Sequence, residues 1–126
     1  MTTLDLKAVG RILIGRVGML SDEGFEVSAL TWRDRGADWP YPFVSSPEEA
    51  IEADSVGIHV KGESAEGQLV FFAGGWADVS LLAIGSGDFL VEAPTAISEA
   101  DVEDISTQFA SLFLKPERSP ESRFTR

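Results

Sequence analysis

The sequence predicts a single α+β domain in which an antiparallel β-meander of about five strands packs against an N-terminal and a C-terminal helix. Apolar residues recur at helical spacing near both ends of the chain, whereas those between the ends alternate at strand spacing. The connections between the central strands are too short for crossovers, so neighbouring strands are expected to run antiparallel. The domain is expected to span residues 1–114, and a mobile charged tail is expected at 115–126.

The two long helices are predicted from apolar stripes and from capping residues. Thr2 or Thr3 is the candidate N-cap of the first helix, and Ser98 with Asp101 resembles a capping box before the second. The first stripe consists of Leu6, Val9, Leu13, Val17 and Leu20. The second stripe consists of Val102, Ile105, Phe109, Leu112 and Phe113. Residues at these spacings lie on one side of a helix, which indicates one buried face for each.

The strands are predicted from alternating apolar residues that are bounded by turn residues. Five segments fit this pattern, at 25–32, 55–61, 68–73, 76–84 and 89–93. Alternation in the first segment places Val27 and Trp32 on opposite faces. The segment 68–73 is apolar on both faces, which is typical of a central or covered strand. A short helix is also predicted from Ser46 to about Ala53, because a cap, a proline and two glutamates follow one another there.

The charge of the chain is strongly negative and unevenly distributed. The formal net charge is −11, and from Gly36 to Leu114 there are fourteen acidic residues and one basic residue, Lys61. Such a body repels phosphate backbones, which argues against nucleic-acid binding. It would attract a basic partner and accelerate the encounter, or it serves only to keep the protein in solution. The sequence leaves both interpretations open.

Cysteine content and the N-terminal residues predict a cytoplasmic protein. There is no cysteine, so neither disulfides nor thiolate metal sites can form, which fits a reducing compartment. No basic region precedes an apolar run at the N-terminus, and no apolar run approaches the roughly eighteen residues of a membrane span. Neither a signal peptide nor membrane association is therefore expected.

Residues that could carry chemistry are few, and the sequence predicts no enzyme, no cofactor and no metal site. His59 is the one histidine and stands alone in a predicted strand, without ligand spacing around it. The acidic clusters at 48–52 and 101–104 are typical of solvated helix faces. The glycine-rich segments at 74–75 and 85–88 lack the spacing of phosphate-binding loops and are interpreted as hairpin turns.

The tryptophans are the residues best suited to a binding surface, because aromatic side chains anchor many protein interfaces. Trp39 lies in a proline-bounded loop and is the better candidate for an exposed anchor. Trp76 follows Gly74-Gly75, whose tight turn would set Trp76 and Asp78 on one face of the sheet. That face either covers the helices or meets a partner, and for Trp76 a core position is favoured.

The segment from Ser55 to Phe113 resembles the TriTu-type immunity proteins of bacterial polymorphic toxin systems. The matching positions are Glu66-Gly67, Leu69 to Phe72, Gly75, Ala77-Asp78-Val79, Gly87 and Ser98 to Phe113. The segment from Arg33 to Asp54 matches less well. The resemblance implies a small acidic protein that binds a secreted toxin, for which an ADP-ribosyltransferase is one candidate, and inactivates it inside the producing cell.

An immunity protein needs a rigid scaffold, a steered approach and a slow dissociation rather than catalytic groups, and acidic residues around an aromatic anchor can supply these. Position in turns or loops, together with charge, predicts a partner-binding set of Trp39, Glu63, Glu66, Trp76, Asp78 and Asp88. The partner is expected to be a toxin or effector protein with a basic surface. Two alternatives stay open: a small acidic secretion chaperone that binds its effector as a dimer, and a small enzyme or ligand-binding domain with a pocket near His59.

Overall fold

A computed structural model describes residues 4–34, 43–44 and 53–114 of the chain. Its elements are α1 (Leu6–Arg16), a 3-10 helix (Gly18–Glu23), β1 (Glu26–Val27), β2 (Thr31–Asp34), β3 (Phe43–Val44), β4 (Ala53–Lys61), β5 (Ala65–Phe72), β6 (Trp76–Ala83), β7 (Phe89–Glu92) and α2 (Glu99–Leu114). The candidate caps Thr2 and Thr3, the short helix predicted up to Ala53, Trp39 and the tail lie outside these residues, apart from Ala53 itself, which begins β4. No helix in these three ranges is both long and apolar enough to cross a membrane.

The seven strands found in the described ranges form one antiparallel sheet, and the protein has the predicted α+β fold. The strand order is β3-β2-β4-β5-β6-β7, and β1 pairs with β4 beyond the end of β2. The strands β4 to β7 follow one another in both sequence and space, as the short connections predicted. The strand at 68–73 was predicted to be central or covered, and β5 lies between β4 and β6.

The first helix begins at a different residue from the one expected. The N-cap of α1 is Asp5, whose carboxylate accepts a hydrogen bond from the Lys7 N–H at 3.1 Å. An aspartate at this position satisfies a backbone donor that has no partner inside the helix. The predicted burial of Leu6, Val9, Leu13, Val17 and Leu20 is confirmed, but α1 ends at Arg16, so Val17 is its C-cap and Leu20 lies in the 3-10 helix.

The Ser98 cap predicted for the second helix is confirmed, while the Asp101 carboxylate bonds one residue before the cap. The Asp101 N–H donates to the Ser98 hydroxyl at 3.1 Å, and the Asp101 carboxylate accepts from the Ile97 N–H at 3.0 Å. Two backbone donors at the start of α2 are thereby satisfied. At the surface between the helices, Arg16 Nη2 lies 2.7 Å from Glu103 Oε1. Both side chains are about half exposed, so this pair adds little to stability compared with the apolar contacts beneath it.

The first predicted strand is interrupted, and its predicted alternation is wrong. Val27 pairs with Val60 and Trp32 pairs with Val56, so Val27 and Trp32 point to the same face. The chain between them holds one residue more than the facing part of β4, as in a β-bulge. Ser28 lies at the interruption, where its N–H donates to the His59 carbonyl and its hydroxyl accepts from the His59 N–H, both at 2.9 Å.

Both helices pack against the same face of the sheet, and the core lies between these two layers. The residues of β5 alternate between buried and more accessible, and Gly67, Leu69 and Phe71 are on the buried side. From α2, Phe109 and Phe113 enter this core with their rings edge to face at 5.2 Å. Trp32 packs there as well and is only 4% exposed.

At Gly67, the neighbouring strand β6 and the helix α2 leave little room for a side chain. A methyl group at this position would lie 2.8 Å from the Ser80 carbonyl oxygen and 3.1 Å from Phe113 Cζ. We expect Gly67→Ala to lower the free energy of unfolding by about 1–3 kcal/mol, because a backbone oxygen and a buried ring would have to move. Chemical denaturation of the purified variant measures this loss.

The matched control for this substitution is Gly85→Ala. A methyl group at Gly85 would have no described atom within 4 Å. This variant should change the free energy of unfolding by less than about 0.5 kcal/mol. Equal losses at the two positions would contradict the close approach of α2 at Gly67.

Candidate protein-binding surface

The face of the sheet opposite α1 and α2, called the open face below, has no helix packed on it within the described ranges. Cross-strand pairing places on it Thr31, Arg33, His59, Lys61, Glu66, Gln68, Val70, Phe72, Trp76, Asp78, Ser80, Leu82, Phe89 and Val91. Most of these side chains are partly or fully exposed. The open face is therefore the surface on which the structure leaves room for a partner.

An aromatic stack occupies one end of the open face. The rings of Phe72 and Trp76 lie nearly parallel, with centroids 4.7 Å apart and an interplanar angle of 12°. The Arg33 guanidinium lies 5.9 Å from the centroid of the Phe72 ring and also forms an ion pair with Asp54. Arg33, Ser55, Phe72 and Trp76 are neighbours across four adjacent strands, so this row is built by strand register.

Trp76 is 44% exposed, so the prediction of a core position for it was wrong. It directly follows the turn at 73–75, where Gly75 adopts a φ of 109° that favours glycine, and its partner across the turn is Phe72. Besides the Ala73 N–H, which donates to the Asp54 carbonyl at 2.9 Å, two backbone segments outside β4 and β5 hold this turn. The Leu4 N–H donates to the Ala73 carbonyl at 3.1 Å, and the Ala96 N–H donates to the Gly75 carbonyl at 2.9 Å.

Two predicted acidic residues share the open face with Trp76. Asp78 lies two residues further along β6 and is exposed. Glu66 lies on β5, where its Oε2 is 2.8 Å from Nε2 of His59, and both side chains remain about two-fifths exposed. The single histidine of the sequence therefore has a surface carboxylate as its partner.

The other two acidic residues of the predicted set lie in turns at the far end of the sheet. Glu63 is exposed in the turn between β4 and β5, and Asp88 is exposed in the turn between β6 and β7. The Ile84 N–H donates to the Ser64 carbonyl at 2.9 Å, which holds the two turns side by side. These turns and Trp76 are separated by the length of β6, about 25 Å at the rise of a strand.

The predicted set is thus brought to one side of the molecule but not to one point. Trp76 and Asp78 lie near one end of the open face, Glu63 and Asp88 flank the other, and Glu66 lies towards that second end. Trp39 lies outside the described residues. A partner that touched all the described members would have to cover most of the length of the sheet.

The apolar residues of the open face other than Trp76 were missed, and Phe72, Phe89 and Val91 are the most prominent of them. Phe72 stacks on Trp76, while Phe89 and Val91 on β7 are 62% and 67% exposed. The alternation in 89–93 already separates Phe89 and Val91 from Leu90. Alternation does not, however, say which of the two faces the helices cover. Exposed apolar side chains that adjoin one another are typical of interaction sites.

The charges of the described sheet separate along the strand order. From Gly62 to Leu114 the sequence contains nine acidic residues and no Lys or Arg. This part of the chain forms β5, β6, β7 and α2. The basic residues of the open face, Arg33 and Lys61, lie on β2 and β4 instead. The half of the sheet that carries Trp76, Asp78 and Phe89 is therefore the acidic half.

The side chains of the open face are suited to binding another protein. Among the described residues, no three His, Cys, Asp or Glu side chains are grouped closely enough to hold a metal ion. The open face instead combines exposed aromatic and aliphatic groups with carboxylates, a combination suited to a protein partner that has basic and apolar groups.

Comparison of the sequence with models of protein families found no match, and comparisons with curated proteins and with solved structures found none either.

The positions of the two described tryptophans predict different costs of truncation. Trp32→Ala removes a ring that is 4% exposed and should lower the free energy of unfolding by about 3–5 kcal/mol. Trp76→Ala removes a ring on the open face and should cost only about 1–2 kcal/mol, mainly through the lost contact with Phe72. Denaturation curves of the two variants measure this difference, and equal costs would place Trp76 in the core.

Proposed function

We propose that this protein is an immunity protein, whose open face binds the basic surface of a cognate secreted bacterial toxin and neutralises it inside the producing cell. The observation that supports this most directly is the exposed Trp76, stacked on Phe72 within the acidic half of the sheet. Neutralisation by binding requires no catalytic group, since a bound protein can block access to the toxin's own site.

The aromatic stack supports the proposal because it has the properties of an interface anchor. Tryptophan is enriched among the residues that contribute most to binding, and it contributes most when the complex excludes water from it. Trp76 is large, partly exposed and already held against Phe72. A partner that covered it would bury apolar area without first having to order the ring.

The charge distribution supports a basic partner. Nine acidic residues without any Lys or Arg between Gly62 and Leu114 create a negative field around β5, β6, β7 and α2. Such a field accelerates the encounter with a positively charged protein and disfavours other partners. The resemblance of the segment from Ser55 to Phe113 to immunity proteins supplies the identity of that partner as a toxin.

The proposal predicts that this protein rescues bacteria from a toxin encoded beside it. Expression of the gene immediately upstream should stop growth, and co-expression of this protein should restore growth with a stable 1:1 complex. Trp76→Ala should weaken binding by at least about thirty-fold, as expected for an anchor residue. Cell growth, co-purification and the dissociation constant are the measurements.

The control for Trp76→Ala is Ile14→Ala, which truncates an apolar residue that is 58% exposed on α1, away from the open face. Rescue by this variant should be unchanged. A toxic neighbour that this protein does not neutralise would contradict the proposal. A harmless neighbour that co-purifies with a dimer would instead support a secretion chaperone.

The contribution of Asp78 can be separated from that of net charge by a matched pair of charge reversals. Asp78→Lys and Asp22→Lys change the net charge equally, but Asp22 lies in the 3-10 helix, away from the open face. Both should slow association slightly at low salt, because the overall field becomes less negative. Only Asp78→Lys should raise the dissociation rate, by about tenfold or more, since it opposes a basic contact. Equal dissociation rates for the two variants, measured with the toxin immobilised, would remove Asp78 from the interface.

A further inference from the structure

The strand β7 ends the sheet in the described part of the chain, and one edge of it is unpaired there. Backbone hydrogen bonds join Ala83 N–H to the Asp88 carbonyl at 2.8 Å and Ala77 N–H to the Pro94 carbonyl at 2.9 Å. Backbone direction alternates along a strand, so Leu90 and Glu92 also bond towards β6. Phe89, Val91 and Ala93 therefore direct their N–H and C=O groups away from the sheet.

The same residues place their side chains on the open face. Phe89 and Val91 pair with Leu82 and Ser80 of β6, and the register that continues to the bridge between Trp76 and Thr95 places Ala93 beside Asp78. Phe89 and Val91 are the two most exposed large apolar residues of the described chain, at 62% and 67%. An edge with free backbone groups and apolar side chains is a template for an additional strand.

Charge decides what kind of strand fits. A second copy of the chain would bring two acidic halves together, each with nine acidic residues and no Lys or Arg between Gly62 and Leu114. An extended segment that carries Lys or Arg would meet attraction instead. When the apolar residues of the added strand lie beside Phe89 and Val91, the residues that alternate with them lie on the other face of the sheet, where Glu92 is the acidic residue of β7. Lys or Arg is suited to those positions.

We infer that residues 89–93 bind an extended segment of the partner as an additional antiparallel or parallel strand, with Lys or Arg alternating with apolar residues. This inference rests on the proposed function only in taking the partner to be a basic protein. Backbone hydrogen bonds from Phe89, Val91 and Ala93 provide the affinity, and contacts with the side chains of Phe89 and Val91 select apolar residues. The aromatic stack at Trp76 then contacts the body of the partner beyond that segment.

Strand addition at the β7 edge can be tested by removing one backbone N–H donor while the hydrogen bonds between β6 and β7 are kept. Val91→Pro eliminates an N–H that points away from β6, so the pairing of β7 with β6 keeps its hydrogen bonds. The control, Val91→Thr, keeps the N–H and the branched shape. The probe is a short acetylated and amidated peptide that alternates Lys and Val. Proline should weaken its binding at least about tenfold, because a carbonyl of the peptide loses its donor, whereas threonine should weaken it about two- to threefold.

Two modified peptides keep the test decisive if the proline variant does not fold. A peptide with the same composition but with its Lys residues in one block has the same charge and cannot alternate. A peptide with a methyl group on every backbone nitrogen cannot donate to the carbonyls of Phe89, Val91 and Ala93 in either orientation. Both should bind the unmodified protein at least about tenfold more weakly than the alternating peptide. Equal binding of all three would show that charge alone is responsible and would overturn the inference.

The location is measured with backbone amide resonances. On binding of the alternating peptide, the amides of Phe89, Val91 and Ala93 should shift and exchange with solvent more slowly, whereas those of Thr31 and Arg33 at the other side of the sheet should not. Shifts spread over the acidic surface, or a dimer formed through β7 in the absence of peptide, would overturn the inference.

The test of strand addition at β7 and the test of toxin neutralisation can succeed or fail independently. If Val91→Pro folds and still rescues cells as well as Val91→Thr does, the edge is not used while the proposed function stands. If the peptide binds the edge but no neighbouring gene product is neutralised, the edge site stands without the proposed function.

Discussion

The structure depends on the one-sided burial of its sheet. The two helices pack on the same face, and α2 lies close to β5 at residue 67, where a methyl group would lie 3.1 Å from Phe113 Cζ. Leu69 and Phe71 of β5, together with Phe109 and Phe113 of α2, fill the space between the layers. Because close-packed interiors tolerate little change in volume, this contact fixes where α2 lies and therefore which face of the sheet is left uncovered.

The uncovered face combines apolar and acidic side chains on one surface. Side-chain alternation puts Trp76 and Asp78 on that face together, so an apolar anchor and a carboxylate are neighbours on one strand. From β5 to α2 the acidic residues have no Lys or Arg among them, whereas on β2 and β4 the acidic residues are accompanied by Arg33 and Lys61. Strand order thus converts a charge gradient along the sequence into a charge gradient across the molecule, with the aromatic and aliphatic residues on its negative side.

Much of the fold could be predicted because helix stripes, caps and short turns are local signals. The stripe of α1 and the Ser98–Asp101 box needed no knowledge of the rest of the chain. The candidate site was harder, because alternation assigns residues to two faces but not to the covered or the open one. Trp76 was therefore placed in the core, and the one extra residue near Ser28 reversed the expected orientation of Trp32. Both errors concern tertiary packing, about which the spacing of apolar residues in the sequence carries no information.

Backbone hydrogen bonds join the turn before Trp76 to Leu4, which precedes the strands in the sequence, and to Ala96, which follows them. These ties restrict the turn before any partner arrives, and the stack on Phe72 restricts the ring itself. Association of two proteins normally costs conformational entropy, about 0.5–1.5 kcal/mol for each side chain that becomes immobile. Folding already restricts the Trp76 ring, so little of this entropy cost remains for binding. A complex formed around the preorganised ring would therefore dissociate more slowly than one that had to order a mobile loop.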